Sequence, residues 1–153
     1  MLREQGELAF MPGAEPSVRT ILLVDDEPGI LASLKRLLRR EGYAVLTADS
    51  GLEGLEQLAI HNVGVVISDA RMPQMSGAEF LSKVREMHPA SVRIMLSGHT
   101  DLKAVADAVN RGELYKFLTK PWDDGELLET VRNAFLFYEM RHRYRADGAI
   151  RPH

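Results

Sequence analysis

Hydrophobic positions along this chain follow two alternating rhythms. Short apolar, β-branched-rich runs stop abruptly at polar residues, and each is followed by a longer stretch with apolar residues at helical spacing. The first run, ILLV after Thr20, stops at Asp25-Asp26, and Ile30, Leu31, Leu34, Leu37 and Leu38 then recur as one face of a helix. Pro28 suits that helix's first turn and Gly42 its end. Tyr43 to Thr47 reads as a second strand. Ser50 with Glu53 forms a capping-box signature for a helix carrying Leu52, Leu55 and Leu58. Val63, Val65, Val66 and Ile67 form a third apolar run, ending at Asp69. Ser76 with Glu79 opens a third helix through Phe80, Leu81, Val84 and Met87, which stops before Pro89.

Val92 to Leu96 is a fourth strand, ending in Ser97-Gly98. Thr100 caps a fourth helix with Leu102, Val105, Ala106 and Val109 on one face, closed by Gly112. Leu114 to Leu118 is a fifth strand, ending in Thr119-Lys120-Pro121. Asp123 with Glu126 caps a fifth helix with Leu127, Val131, Ala134, Phe135 and Tyr138 along one side. Five strands alternating with five helices predict right-handed βαβ crossovers and an α/β fold, a doubly wound parallel sheet. The last helix is predicted to reach about Arg145, roughly 33 Å at 1.5 Å per residue, which outreaches the sheet. Its excess is polar and basic, with Arg141, His142, Arg143, Tyr144 and Arg145.

Composition narrows the class. Of 153 residues, 45% are hydrophobic and 27% charged, ordinary for a globular domain with a real core. A net charge of −3 does not suggest direct nucleic-acid or membrane-surface binding. The chain has no cysteine, which excludes disulfides and thiolate metal sites. No apolar run approaches a membrane span, and the N-terminal stretch lacks a signal-peptide core, so a cytoplasmic protein is expected. Pro12, Gly13 and Pro16 mark residues 1–18 as a flexible leader.

The chemistry lies at the strand ends. In open parallel sheets, ligands gather beyond the carboxyl ends of the strands. Strand one delivers Asp25 and Asp26 there, strand three Asp69, strand four Ser97 and strand five Lys120. A lone Asp after a strand is ordinarily a cap or turn residue. Matching chemistry on four strand ends is not explained that way. Three clustered carboxylates call for a cation, and an all-oxygen set suits Mg²⁺. Carboxylate, divalent ion, ammonium and hydroxyl together describe a site for a phosphoryl group, with an Asp as nucleophile.

ILLVDDEPG, VVISDARMPQMSG, IMLSG and FLTKPW together resemble the receiver domain of two-component response regulators, over roughly Thr20 to Tyr138. The resemblance implies the flavodoxin-like (βα)5 fold with strand order 2-1-3-4-5. It places a receiver at 19–138, between the leader and a helical linker or tail at 139–153. It implies that Asp69 accepts the phosphoryl group from a sensor histidine kinase or phosphotransfer protein. Asp26, Asp69 and the Arg71 carbonyl would coordinate Mg²⁺, Asp25 would act through water, and Lys120 would pair with phosphoryl oxygens. The Lys120–Pro121 bond would be cis. Ser97 would supply the switching hydroxyl and Phe117, three residues before Lys120, the switching aromatic, although the family often has Thr and Tyr at these places. Arg71 and His99 flank the site, where bulk would tune phosphoryl lifetime.

NRGELYKFLTKPWDD, with Trp122 after Lys-Pro, is similar to receivers joined to HD-GYP phosphodiesterases or NtrC-type activators. An output domain or effector is then the partner, with helix four, strand five and helix five as the surface that shifts and a homodimer as one use of it. Such a domain is a switch and not a turnover enzyme. Among rivals, a haloacid-dehalogenase-type phosphatase also uses Asp, Ser or Thr, Lys and Mg²⁺. Its nucleophile, however, ends the first strand in D-x-D, where this chain has D-D-E. A nucleotide-binding module would need a G-x-G-x-x-G or G-K-[ST] loop, and none is present.

Overall fold

A computed structural model of the chain describes residues 18–98, 101–111 and 114–150, with backbone alone at 104 and 143–150. The leader up to residue 17, the Thr100 cap, the Gly112 stop, His99 and the side chains of Arg143, Tyr144 and Arg145 lie outside the described residues.

Five strands form one parallel sheet: β1 (Thr20–Val24), β2 (Ala44–Ala48), β3 (Val65–Asp69), β4 (Val92–Ser97) and β5 (Lys116–Thr119). Their order is β2-β1-β3-β4-β5, as the resemblance implies. The helices α1 (Pro28–Arg40), α2 (Gly51–Ile60), α3 (Gly77–Met87), α4 (Leu102–Asn110) and α5 (Asp124–Ile150) alternate with them. Every residue of β3 and β4 is buried, because these central strands are covered on both faces. Side-chain alternation splits the core in two. Ile21, Leu23, Val65, Ile67, Ile94 and Leu118 pack on α1 and α5, through Leu34, Leu38, Leu127, Val131 and Phe135. Leu22, Val24, Val66 and Met95 pack on α2, α3 and α4, through Leu58, Phe80, Leu81, Val84 and Val105.

Helix starts follow their caps. Ser76 and Glu79 form a complete capping box on α3. At α2 the Ser50 hydroxyl accepts from the Glu53 amide, while the Glu53 carboxylate reaches one residue further back, to the Asp49 amide at 2.6 Å. Asp123 Oδ2 accepts from the Glu126 amide at 2.8 Å. Gly42, at φ +92°, ends the turn after α1 in a conformation that suits glycine.

Three helices bury different residues from those their apolar pattern predicts. Leu52 is 63% exposed and Met87 58%. In α2, Gly51, Gly54 and Leu58 face inward at helical spacing. A Cβ on Gly54 would lie 2.9 Å from the Phe80 ring, so close helix packing is made by a residue that hydropathy overlooks. In α4, Val105 and Ala108 are buried, whereas Leu102 and Ala106 are exposed. The buried face is turned by the i, i+3 pair Val105 and Ala108.

The fifth helix is longer than predicted, 27 residues and about 40 Å. Its middle is tied back to the residue before β1: Arg19 makes two hydrogen bonds to Glu139, of 2.9 and 3.0 Å, and its guanidinium lies over the Phe135 ring. Tyr43 stacks on that same ring, centroids 5.2 Å apart.

Candidate functional site

Parallel pairing fixes where each strand stops, and so brings four polar ends to one edge. Asp25 follows β1, and its amide donates to the Ala48 carbonyl at the end of β2. Asp69 is the last residue of β3 and Ser97 the last of β4, while the Lys120 amide donates to the Ser97 carbonyl. Carboxylate oxygens of Asp25, Asp26 and Asp69 lie within 4.8 Å of one another. Asp25 and Asp69 are buried and Asp26 is exposed, so the cluster opens to solvent on one side. Lys120 Nζ sits 2.9 Å from Asp69 Oδ1, 3.1 Å from Asp25 Oδ2 and 3.8 Å from Glu27 Oε1.

Electrostatics follow from that crowding. Burial raises the Asp25 carboxyl above the usual carboxylate range, and the Asp69 charge adds to it; the Glu27 amide, donating to Asp25 Oδ1 at 2.9 Å, and Lys120 pull the other way. Burial works to lower Lys120, but hydrogen bonds and charges from Asp69 and Asp25 outweigh it, so its ammonium is held above its ordinary value. Lys120 therefore stays charged and neutralises part of the cluster.

The backbone around Asp69 is tight. The Ala70 amide donates to the Leu96 carbonyl, and the Gly77 amide to the Ala70 carbonyl. A Cβ on Gly77 would overlap the Asp69 carbonyl oxygen, so only glycine fits at the start of α3. Gln74, in the loop between them, adopts φ +72°, a left-handed conformation uncommon outside glycine. The Lys120–Pro121 bond is cis. Arg71 leaves the edge outward, 71% exposed, and its Nε lies 2.8 Å from Asp101 Oδ1 at the head of α4.

Ser97 is fully buried, and among the described residues its Oγ has no hydrogen-bond partner. It pairs in register with Thr119, and Phe117 pairs with Met95. Ser97 and Phe117 thus share the sheet face that meets α4, two residues apart in register. Phe117 is half-buried and packs against the core cluster that holds Met95 and Val105. Tyr115 instead stacks on Phe137 of α5, centroids 5.4 Å apart. The structure therefore brings together Asp25, Asp26, Asp69, Ser97 and Lys120, with Phe117 one step behind and Arg71 at the rim. Glu27 and Asp101 escaped the sequence reading. Glu27 sits in the D-D-E run itself, whereas nothing local marks Asp101 as Arg71's partner.

The response regulator receiver domain family matches residues 21–132. The chain belongs to that family. The hydrogenase transcriptional regulatory protein HoxA of Cupriavidus necator is 42% identical over 115 residues, covering 75% of this chain and 24% of HoxA. The crystal structure of the signal receiver domain of an HD domain-containing protein from Pseudomonas fluorescens Pf-5 superposes with a TM-score of 0.80 at 39% identity. That match covers 87% of this chain and 98% of the other. The structure of an adenylate cyclase from Rhodopirellula baltica gives 0.85 at 32% identity, covering 88% and 100%. The chain spans about a quarter of the curated relatives it matches. It is a receiver of the kind carried by NtrC-, HoxA- and GlrR-type regulators, a signalling domain and not a turnover enzyme. The phosphatase alternative finds no support. Among the described residues, no helix is long and apolar enough to cross a membrane.

Proposed function

We propose that Asp69 of this receiver accepts a phosphoryl group from the phosphohistidine of a sensor histidine kinase or phosphotransfer protein, and that the change is read by an output domain or effector. The observation that carries this reading is Lys120 Nζ at 2.9 Å from Asp69 Oδ1, within a cluster of three carboxylates. The donor set is all oxygen and closely spaced, which fits Mg²⁺ held by Asp26, Asp69 and the Arg71 carbonyl, with Asp25 acting through water. Bound there, the ion supplies positive charge against the phosphoryl oxygens.

An Asp69 carboxylate oxygen bonds to phosphorus while the phosphorus–nitrogen bond breaks and its electron pair leaves with the donor imidazole. Lys120 then exchanges its Asp69 contact for a phosphoryl oxygen. Water attacking phosphorus later restores the carboxylate and releases inorganic phosphate. Arg71, at the rim, governs how easily that water arrives, together with His99.

The Ser97 hydroxyl, without a hydrogen-bond partner among the described residues, turns to a phosphoryl oxygen. Phe117 moves into the space it leaves, and the surface of α4, β5 and α5 shifts. Phe117 has no hydroxyl, so packing alone holds the new state. That surface carries exposed Leu102, Tyr115, Leu136, Phe137 and Met140, which suits an output contact or a homodimer. We assign the receiver to residues 19–138 and the linker to 139–153, in a cytoplasmic protein.

Intact mass after incubation with Mg²⁺ and acetyl phosphate tests the transfer. The wild type should gain one phosphoryl group and Asp69→Asn none. Steady phosphate release without accumulation on the protein would overturn the proposal.

A further inference from the structure

The head of α4 holds a carboxylate that is not used as its position suggests. Asp101 stands at the N-cap of α4, where an aspartate ordinarily accepts a hydrogen bond from a first-turn amide. It makes no such bond. Its backbone, at φ −104° and ψ 6°, is away from the extended conformation that capping uses. The carboxylate is turned to Arg71 instead, with Oδ1 2.8 Å from Nε, and the Asp101 side chain is only 16% exposed. The Asp101 amide donates to the Gly98 carbonyl at 3.3 Å, which ties this residue to the one after Ser97.

The pair joins two segments that both leave the phosphoryl edge. Arg71 stands two residues after Asp69, at most about 7 Å along the chain, a span its long side chain can cover. A guanidinium is a strong, bidentate partner for phosphoryl oxygens. A phosphoryl group on Asp69 and the Asp101 carboxylate are therefore rivals for Arg71. While Asp101 holds it, Arg71 points outward and the approach to phosphorus stays open. Hydrolysis needs a water in line with the Asp69 oxygen. As that water bonds to phosphorus, the bond to Asp69 breaks, its electron pair returns to the carboxylate, and the water's oxygen leaves on inorganic phosphate. A guanidinium drawn over the phosphoryl group stands in the water's path.

We infer that Asp101 is a positioning residue for phosphoryl loss: it holds Arg71 off the acyl phosphate and so shortens the life of the phosphorylated state. The inference rests on Asp69 being the acceptor. When Arg71 passes to the phosphoryl group, the Asp101 carboxylate is released beside first-turn amides that have no partner within the helix. The same exchange thus reaches the start of α4.

Decay of the phosphorylated full chain tests this. Protein labelled with acetyl phosphate and Mg²⁺ is freed of the donor, and loss of the phosphoryl group is followed by intact mass. Asp101→Asn should decay roughly two- to fivefold more slowly than the wild type, the range open to an ion pair of this exposure. Asp101→Glu, which keeps the charge but is a poor cap, should return the rate toward that of the wild type. In an Arg71→Ala background, Asp101→Asn should change nothing. Decay of Asp101→Asn at the wild-type rate or faster would overturn the inference while leaving Asp69 as acceptor. So would a slowing that persists without the Arg71 side chain, since Asp101 would then act through α4 alone. A wild type that takes no label would overturn both readings.

Discussion

Replacing Ser97 with Ala should make the resting protein more stable and the switch less responsive. Ser97 is 0% exposed at the end of β4, between β3 and β5, and its hydroxyl has given up water without gaining a partner among the described residues. A buried group left in that condition costs about 1–3 kcal/mol. Alanine removes the penalty and leaves a void the size of one oxygen atom, which at about 24 cal/mol per Å³ costs only roughly a few tenths of a kcal/mol. The net gain is therefore about 1 kcal/mol or more, or roughly 2–4 °C in midpoint for a chain of this size. Thermal unfolding of unphosphorylated, Mg²⁺-free protein measures it directly. The same variant should still take a phosphoryl group on Asp69, while the Phe117 ring resonances no longer respond to it. A Ser97→Ala midpoint below that of the wild type would refute the reasoning, because it would mean the hydroxyl is satisfied at rest.

Other consequences follow from the same contacts. Mg²⁺ should raise the unfolding midpoint with rising concentration, as any ligand of the native state does, and Asp26→Asn should abolish the rise; calorimetry with and without a chelator decides. Gly77→Ala pushes a methyl group into the Asp69 carbonyl oxygen, so it should cost about 1–3 kcal/mol in urea unfolding and also slow phosphoryl acceptance. Burial holds the Tyr43 hydroxyl above its ordinary value despite the opposing charge of Arg19. Its contribution to stability is full below about pH 10 and is lost as pH rises through the raised value. Tyr43→Phe should therefore lose less stability than the wild type over that alkaline window in urea unfolding.

Much of the molecule was legible in its pattern because strands in a doubly wound sheet are continuous apolar runs with polar stops. The pattern alone places Asp25, Asp69, Ser97 and Lys120 on one edge, since parallel strands all end there. The cis Lys120–Pro121 bond and the partnership of Ser97 with Phe117 came from resemblance; periodicity carries no sign of either. What hydropathy missed has a physical cause in each case. Gly51 and Gly54 face inward because the close approach of Met75 and of Phe80 leaves no room for a side chain, so the apolar Leu52 of the same helix stays exposed. Met87 lies in the last turn of α3, where the buried face has already passed. The Arg19–Glu139 and Arg71–Asp101 pairs join residues 120 and 30 positions apart, distances over which charge patterning carries no signal.

The central claim is that Asp69 itself carries the phosphoryl group. Acetyl phosphate labelling in Mg²⁺, borohydride reduction of the acyl phosphate and peptide mass mapping test it most directly. Reduction to homoserine at position 69, and at no other acidic position, is the result this account predicts. Homoserine at position 25 or 26 with position 69 untouched would contradict it.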